Sequence, residues 1–215
     1  MASVKKNFVY NSLYQILNIL IPLITTPYIS RVIKAEGVGI YSFAYSNAHY
    51  FVLFILLGLN NYGNRLIAET RDDRPLLSKN FCNVYATQLF LGIVLSGFYV
   101  IYVFCVADNQ IVALLLGLYV LSGIFDVNWF LFGLEQFKLT TIRNIIVKLL
   151  TTICIFVFVN DVSDIYVYCF IMSASLLISQ IVVWPYVVKQ VDFCKPTWLE
   201  MKKHIKPNLL LFSTT

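Results

Sequence analysis

The amino-acid sequence predicts an all-α fold, a polytopic transmembrane helix bundle of about six spans. Three observations predict it. Hydrophobic residues make up 59% of the 215 residues and charged residues 13%, and mean hydropathy is +0.76. A soluble domain is nearer a quarter charged, and a chain this apolar is suited to lipid. The apolar residues also gather into six runs, each long enough at 1.5 Å per residue to cross roughly 30 Å of hydrocarbon. Finally, the Lys and Arg residues sit almost entirely on loops of one side.

The first run, 8–33, follows a short basic start from Met1 to Lys6. Asn11, Gln15 and Asn18 interrupt it and no small-x-small cleavage site follows, so it is read as a retained helix and not a signal peptide. Pro22 and Pro27 should kink it or end its regular part. The second run is 40–60. A longer basic connection, 61–80, carries Arg65, Arg71, Arg74 and Lys79. The third and fourth runs, 81–106 and 111–134, are joined by a tight polar turn. The fifth and sixth, 142–159 and 165–188, are joined by a short acidic one. A basic stretch, 189–207, is expected to be a cytoplasmic linker, and 208–215 begins another apolar run, the start of a truncated seventh helix.

A cytoplasmic N-terminus puts fourteen of the sixteen Lys and Arg inside and leaves Arg31 and Lys34 outside. That split follows the positive-inside rule. It also answers the suggestion of nucleic acid raised by a net charge of +5, because the cations are membrane-side anchors. Six is even, so a second copy of the unit would enter the membrane with the same orientation. Residues 1–188 would then be one lobe of a two-lobe transporter with a cavity between parallel lobes. The expectation is that the chain is a fragment or truncated product of a longer protein.

Several absences also shape the reading. Cys82, Cys105, Cys154, Cys169 and Cys194 show no C-x-x-C spacing and read as small apolar filler. There is no phosphate-binding glycine loop, no H-E-x-x-H and no His cluster, since His49 and His204 stand alone. The outer loops are a few residues long. An enzyme, a metal site and a cofactor are therefore not expected, and no catalytic residue is assigned.

Three stretches carry a family resemblance. They are Pro27-Tyr28-Ile29-Ser30-Arg31-Val32-Ile33 with Ala35-Glu36-Gly37-Val38-Gly39 after it, Leu57-Gly58-Leu59-Asn60-Asn61-Tyr62-Gly63-Asn64-Arg65, and Asp126-Val127-Asn128-Trp129-Phe130-Leu131-Phe132-Gly133-Leu134-Glu135-Gln136-Phe137. Together the chain resembles the Wzx-type polysaccharide-biosynthesis and O-antigen flippases of the multidrug/oligosaccharidyl-lipid/polysaccharide exporter superfamily, over its N-terminal half. Lys34 stands where the family usually has a small residue. The resemblance implies a bacterial cytoplasmic (inner) membrane protein that moves undecaprenyl-diphosphate-linked oligosaccharide repeat units outward for O-antigen or capsule. The implied partners are that substrate and membrane lipid, with a polysaccharide polymerase, assembly proteins or a second half-transporter beside them. Two alternatives stay open: an ion-coupled multidrug exporter of the same superfamily, and a non-transporting truncated scaffold in a polysaccharide-assembly complex.

The candidate residues follow from what charge costs in lipid. Asp126 is the one carboxylate well inside a span, and it is either a protonation or cation site or a neutral helix–helix hydrogen bond. On a continuous helix Trp129 shares its face at i, i+3, to stack on a sugar ring or simply to pack. Arg31 is placed to hold a diphosphate near the outer end or to pair with Glu36. Arg65 meets an arriving diphosphate or merely anchors. Lys148 either snorkels or points into the cavity. Asn7, Asn11, Gln15 and Asn18 form one amide stripe that lines a cavity or bonds between helices.

Overall fold

The computed structural model describes Gln15 and residues 19–212, the side chains of 205, 206 and 209–212 apart. Those residues fold as helices and connections, with no strand among them. In chain order the helices are α1 (Ile19–Val32), α2 (Lys34–Leu56), α3 (Leu59–Thr70), α4 (Arg74–Cys105), α5 (Gln110–Phe125), α6 (Asn128–Gly133), α7 (Phe137–Phe158), α8 (Ile165–Ile181), α9 (Trp184–Gln190) and α10 (Trp198–Phe212). Five helical stretches among the described residues are long and apolar enough to cross a membrane: Lys34–Thr70, Arg74–Cys105, Gln110–Gly133, Phe137–Phe158 and Val162–Gln190. Large apolar side chains such as Leu23, Phe43, Phe98, Phe104 and Ile153 cover its outside. That surface belongs in lipid.

The helices start where the sequence supplies caps. Asp73 accepts from the Leu76 N–H at 3.1 Å ahead of Pro75, opening α4. Asn109 does the same for α5 through Val112 at 3.1 Å. In the turn before α8, one Asp164 oxygen accepts from the backbone N–H groups of Asn160 and Asp161, each at 2.9 Å. The helices run well past the expected boundaries at one end. α4 has 32 residues, about 48 Å of helix, and α3 takes up half of what reads in sequence as a loop. The polar helix formers of 59–70 continue the helix beyond the apolar run. α1 stays helical through both Pro22 and Pro27, and the hydroxyls of Thr25 and Ser30 bond back to Ile21 and Thr26.

α5 sits at the centre, against α2, α4 and α8, and α7 packs on α8. One apolar core joins α2, α4, α5 and α8 through Ala48, Ile55, Val103, Leu116 and Cys169. A second joins α3, α4, α6 and α9 through Ile67, Phe81, Trp129, Phe130 and Val187. A third ties α1 to α7 through Ile29, Ile33, Ile155 and Val159, with Tyr168, Ile171 and Met172 of α8 packed against it. The turns at 71–73, 134–136 and 191–197 share one end, joined by ion pairs from Arg71 to Glu135 (2.6 Å) and Arg74 to Asp192 (2.8 Å). The turns before α2 and after α7 share the other, where the Tyr28 hydroxyl donates to the Val159 carbonyl at 2.8 Å.

Two spans are broken at their waists. α2 stops at Leu56, and Leu57 takes φ 44° before α3 resumes at Leu59. α5 stops at Phe125, and Asp126 is extended (φ −72°, ψ 109°) before α6 begins at Asn128. α3 and α6 then press together at glycines. A Cβ on Gly63 would stand 2.6 Å from the Trp129 ring, and one on Gly133 would stand 2.6 Å from Ile67 Cβ. Only a bare Cα permits that approach. Lys34, the departure from the family pattern, has φ 60°, a conformation that favours glycine.

Candidate functional site

The break between α5 and α6 leaves backbone carbonyls without helical partners deep in an apolar bundle. Side chains from two other helices, α4 and α9, satisfy them. The Gln88 amide of α4 donates to the carbonyls of Gly123 and Asp126, both at 2.8 Å, and its oxygen accepts from the Trp129 indole N–H at 3.0 Å. Trp184 of α9 donates its indole N–H to the Phe125 carbonyl at 3.1 Å. Gln88 and Trp129 are fully buried.

The break turns the Asp126 carboxyl into a polar cluster. Its Oδ1 accepts from the Asn128 backbone N–H at 2.8 Å, and its Oδ2 accepts from the Gln180 amide of α8 at 3.1 Å. Asn128 in turn accepts, through Oδ1, from the Arg143 guanidinium of α7 at 2.9 Å. Arg143 is buried and also donates to Asn144 Oδ1, at 2.8 Å and 3.1 Å. Arg143 lies within electrostatic reach of Asp126. A half-buried acid at the helix break and a buried base on α7 thus lie on either side of Asn128. Lys148 is half-buried on α7, five residues beyond Arg143 and ten before Phe158. Ten residues are about 15 Å of helix, half the thickness of a hydrocarbon layer.

The expected residues distribute unevenly. Asp126 stands in the cluster, though not on a continuous helix, so the i, i+3 relation to Trp129 does not hold. Trp129 is walled in by Gly63 and stacked on Phe81 at 5.6 Å, which leaves no face for a sugar ring. Arg31 is exposed near the end of α1 and makes no ion pair with Glu36 among the described residues. Arg65 is exposed on α3 and held by Glu69 at 2.9 Å. Of the amide stripe, Gln15 is helical and exposed, while Asn7, Asn11 and Asn18 lie outside the described residues. No group of three His, Cys, Asp or Glu side chains stands together as a metal site among the described residues. Sequence reasoning missed Gln88, Arg143 and Gln180. The available signal was polarity inside an apolar run, as in Ala86-Thr87-Gln88-Leu89-Phe90 and Ile178-Ser179-Gln180-Ile181, since such a side chain must find a partner.

An apolar helix bundle with a charged, amide-bonded break inside a span is a multi-pass membrane protein. The chain belongs to the polysaccharide biosynthesis protein family, whose model matches residues 4–214. It is 27% identical over 191 residues to a protein of Escherichia coli (strain K12) described as "Putative O-antigen transporter", covering 87% of this chain. The chain spans 46% of that relative's length. No solved structure matches it.

Proposed function

We propose that the chain is one lobe of a flippase that carries undecaprenyl-diphosphate-linked oligosaccharide repeat units across the bacterial cytoplasmic membrane. Membership of the polysaccharide biosynthesis family and the description of the E. coli relative support transport of a polysaccharide precursor. The observation that carries the finer reading is the Asp126–Asn128–Arg143 cluster at a helix break within a span. An apolar bundle that only filled lipid would have no use for an acid and a buried base at that depth.

In this reading the basic end faces the cytoplasm, with the turns at 71–73, 134–136 and 191–197 inside. The diphosphate headgroup enters from that side, drawn by Arg143 and Lys148, the two cations of α7 that lie farther along the helix than Lys138. A guanidinium grips a diphosphate bidentately. Asp126 supplies the counter-charge that holds Arg143 when the diphosphate has left. The carboxylate and the diphosphate then compete for one cation, and that competition lets the site release its cargo. A second lobe completes the cavity, as a second half-transporter or as further chain.

The test is Asp126→Asn, alongside Arg143→Gln, in cells whose own copy of the gene is deleted, with membrane insertion checked by immunoblot. Surface polysaccharide is expected to fall about tenfold or more with either variant, while lipid-linked repeat units accumulate. Normal polysaccharide in the two variants removes the cluster from the mechanism. Normal polysaccharide in the deletion itself overturns the flippase reading.

A further inference from the structure

His49 lies outside the Asp126 cluster, on α2, fifteen residues after Lys34. That places it about 22 Å along the helix, well within the thickness of a hydrocarbon layer. Its Nδ1 is 2.7 Å from the Tyr119 hydroxyl of α5, and the Tyr45 hydroxyl donates to the Tyr119 oxygen at 3.4 Å. The three rings are nearly parallel. Tyr45 and Tyr119 have centroids 4.9 Å apart at 7°, and His49 lies 6.2 Å from Tyr119 at 6°. Tyr119 is buried, whereas His49 is exposed. Exposed Ser42 and Ser46 continue the same face of α2. The imidazole therefore has one edge bonded into the bundle and one edge open on the helix face that carries Ser42 and Ser46.

We propose that His49 is a proton-binding site within the membrane and that Tyr119 and Tyr45 form with it a hydrogen-bond chain that reverses when the proton binds. In the neutral state the imidazole proton is on Nε2. The Tyr45 O–H then donates to Tyr119, and the Tyr119 O–H donates to Nδ1. An added proton occupies the Nδ1 lone pair, so Nδ1–H must donate to the Tyr119 oxygen. The Tyr119 O–H turns to the Tyr45 oxygen, and the Tyr45 O–H turns away. No bond between heavy atoms changes, and the site gains one positive charge. Histidine is the side chain whose ordinary range suits such a change near neutrality.

The titratable surroundings are few. On α2 they are Tyr45 and, a turn further on, Tyr41. On α5 they are Tyr119 itself and, within electrostatic reach of it, Asp126. On α8 they are Tyr168, against Tyr41, and Cys169 beside it. α4 meets α2 through Tyr99 and Tyr102, both against Phe51. The imidazolium would thus flank the same phenol as the Asp126 carboxylate, which links its charge to the cluster at the helix break. The proposal goes beyond the flippase reading, because it requires no particular cargo.

The experiment is nitrogen NMR of the ¹⁵N-histidine-labelled chain in lipid nanodiscs across about pH 5–9. The chain has two histidines, and the signal lost in H49N is His49. The expected result is a single Nε2–H tautomer at high pH, with Nδ1 accepting a hydrogen bond, converting reversibly to imidazolium on acidification. Y119F should leave a mixture of the two tautomers at high pH. A His49 signal fixed in one protonation state throughout overturns the proposal. So does a Y119F chain whose tautomer matches the parent's.

Discussion

At the scale of single residues, Gln88 does the most with one side chain. It caps two carbonyls of the broken span and receives the Trp129 N–H, so Gln88→Leu strands two acceptors and a donor away from water. With roughly 1 kcal/mol or more for each stranded group, and less where lipid-buried alternatives form, the loss should be about 2–4 kcal/mol. Reversible unfolding in mixed micelles measures it. Glu69→Ala, which removes the exposed Arg65 pair, serves as the reference and should leave the unfolding transition nearly unmoved. A Gln88→Leu chain as stable as that reference would mean the break is held by packing alone. Gln88 is plain in the sequence as a polar residue in an apolar run. Its partner was not, because the carbonyls it caps lie 35 and 38 residues away and become available only once α5 breaks. Asp126 was legible by its charge, and that same charge is what was misread as part of a continuous helix.

At the scale of elements, the stretch after α9 is strapped down. Its backbone N–H groups at Asp192, Cys194 and Thr197 donate to Ser78 Oγ, Cys82 Sγ and Asn83 Oδ1 of α4, at 3.0, 3.2 and 3.2 Å. The basic composition of 189–207 gives no sign of this, since hydrogen bonds to an extended backbone leave no residue pattern. α10 then starts at Trp198, well before the apolar run at 208. It docks on α3 and α4 through the ion pair from Lys79 to Glu200 at 3.6 Å and the contact of the Tyr62 hydroxyl with His204 Nδ1.

Burial depresses the proton affinity of His204, Glu200 opposes that, and Lys203 and Lys79 add to the depression. The folded chain therefore binds fewer protons at His204 than the unfolded one. Docking stability is full above the ordinary histidine value of 6.5, falls as pH drops through it toward the lower folded value, and changes no further below that. The protection of α10 amides, taken relative to their intrinsic exchange rate at each pH, should fall between about pH 7 and pH 5, and His204→Gln should flatten the response. Protection that is independent of pH in the parent would show that His204 does not report docking.

At the scale of the whole molecule, the membrane class was the most legible feature. It rests on composition and on the clustering of cations, which local structure cannot disguise. Helix order was legible for the same reason. The waists at Leu57 and Asp126 were not, because both sit inside runs that read as single spans, and their geometry depends on α3 pressing α6 at Gly63 and Gly133. Those waists put Asp126, Asn128 and Arg143 in one place.

The most direct measurement is thiol accessibility at position 148. Lys148→Cys, in a chain whose five native cysteines are replaced, is exposed to a membrane-impermeant maleimide in inside-out vesicles, with Lys195→Cys as the reactive control. The account predicts labelling from the cytoplasmic side, about 15 Å from the far end of α7, because the cations of that helix line a watery path. A control that reacts while position 148 stays unlabelled from that side would contradict it.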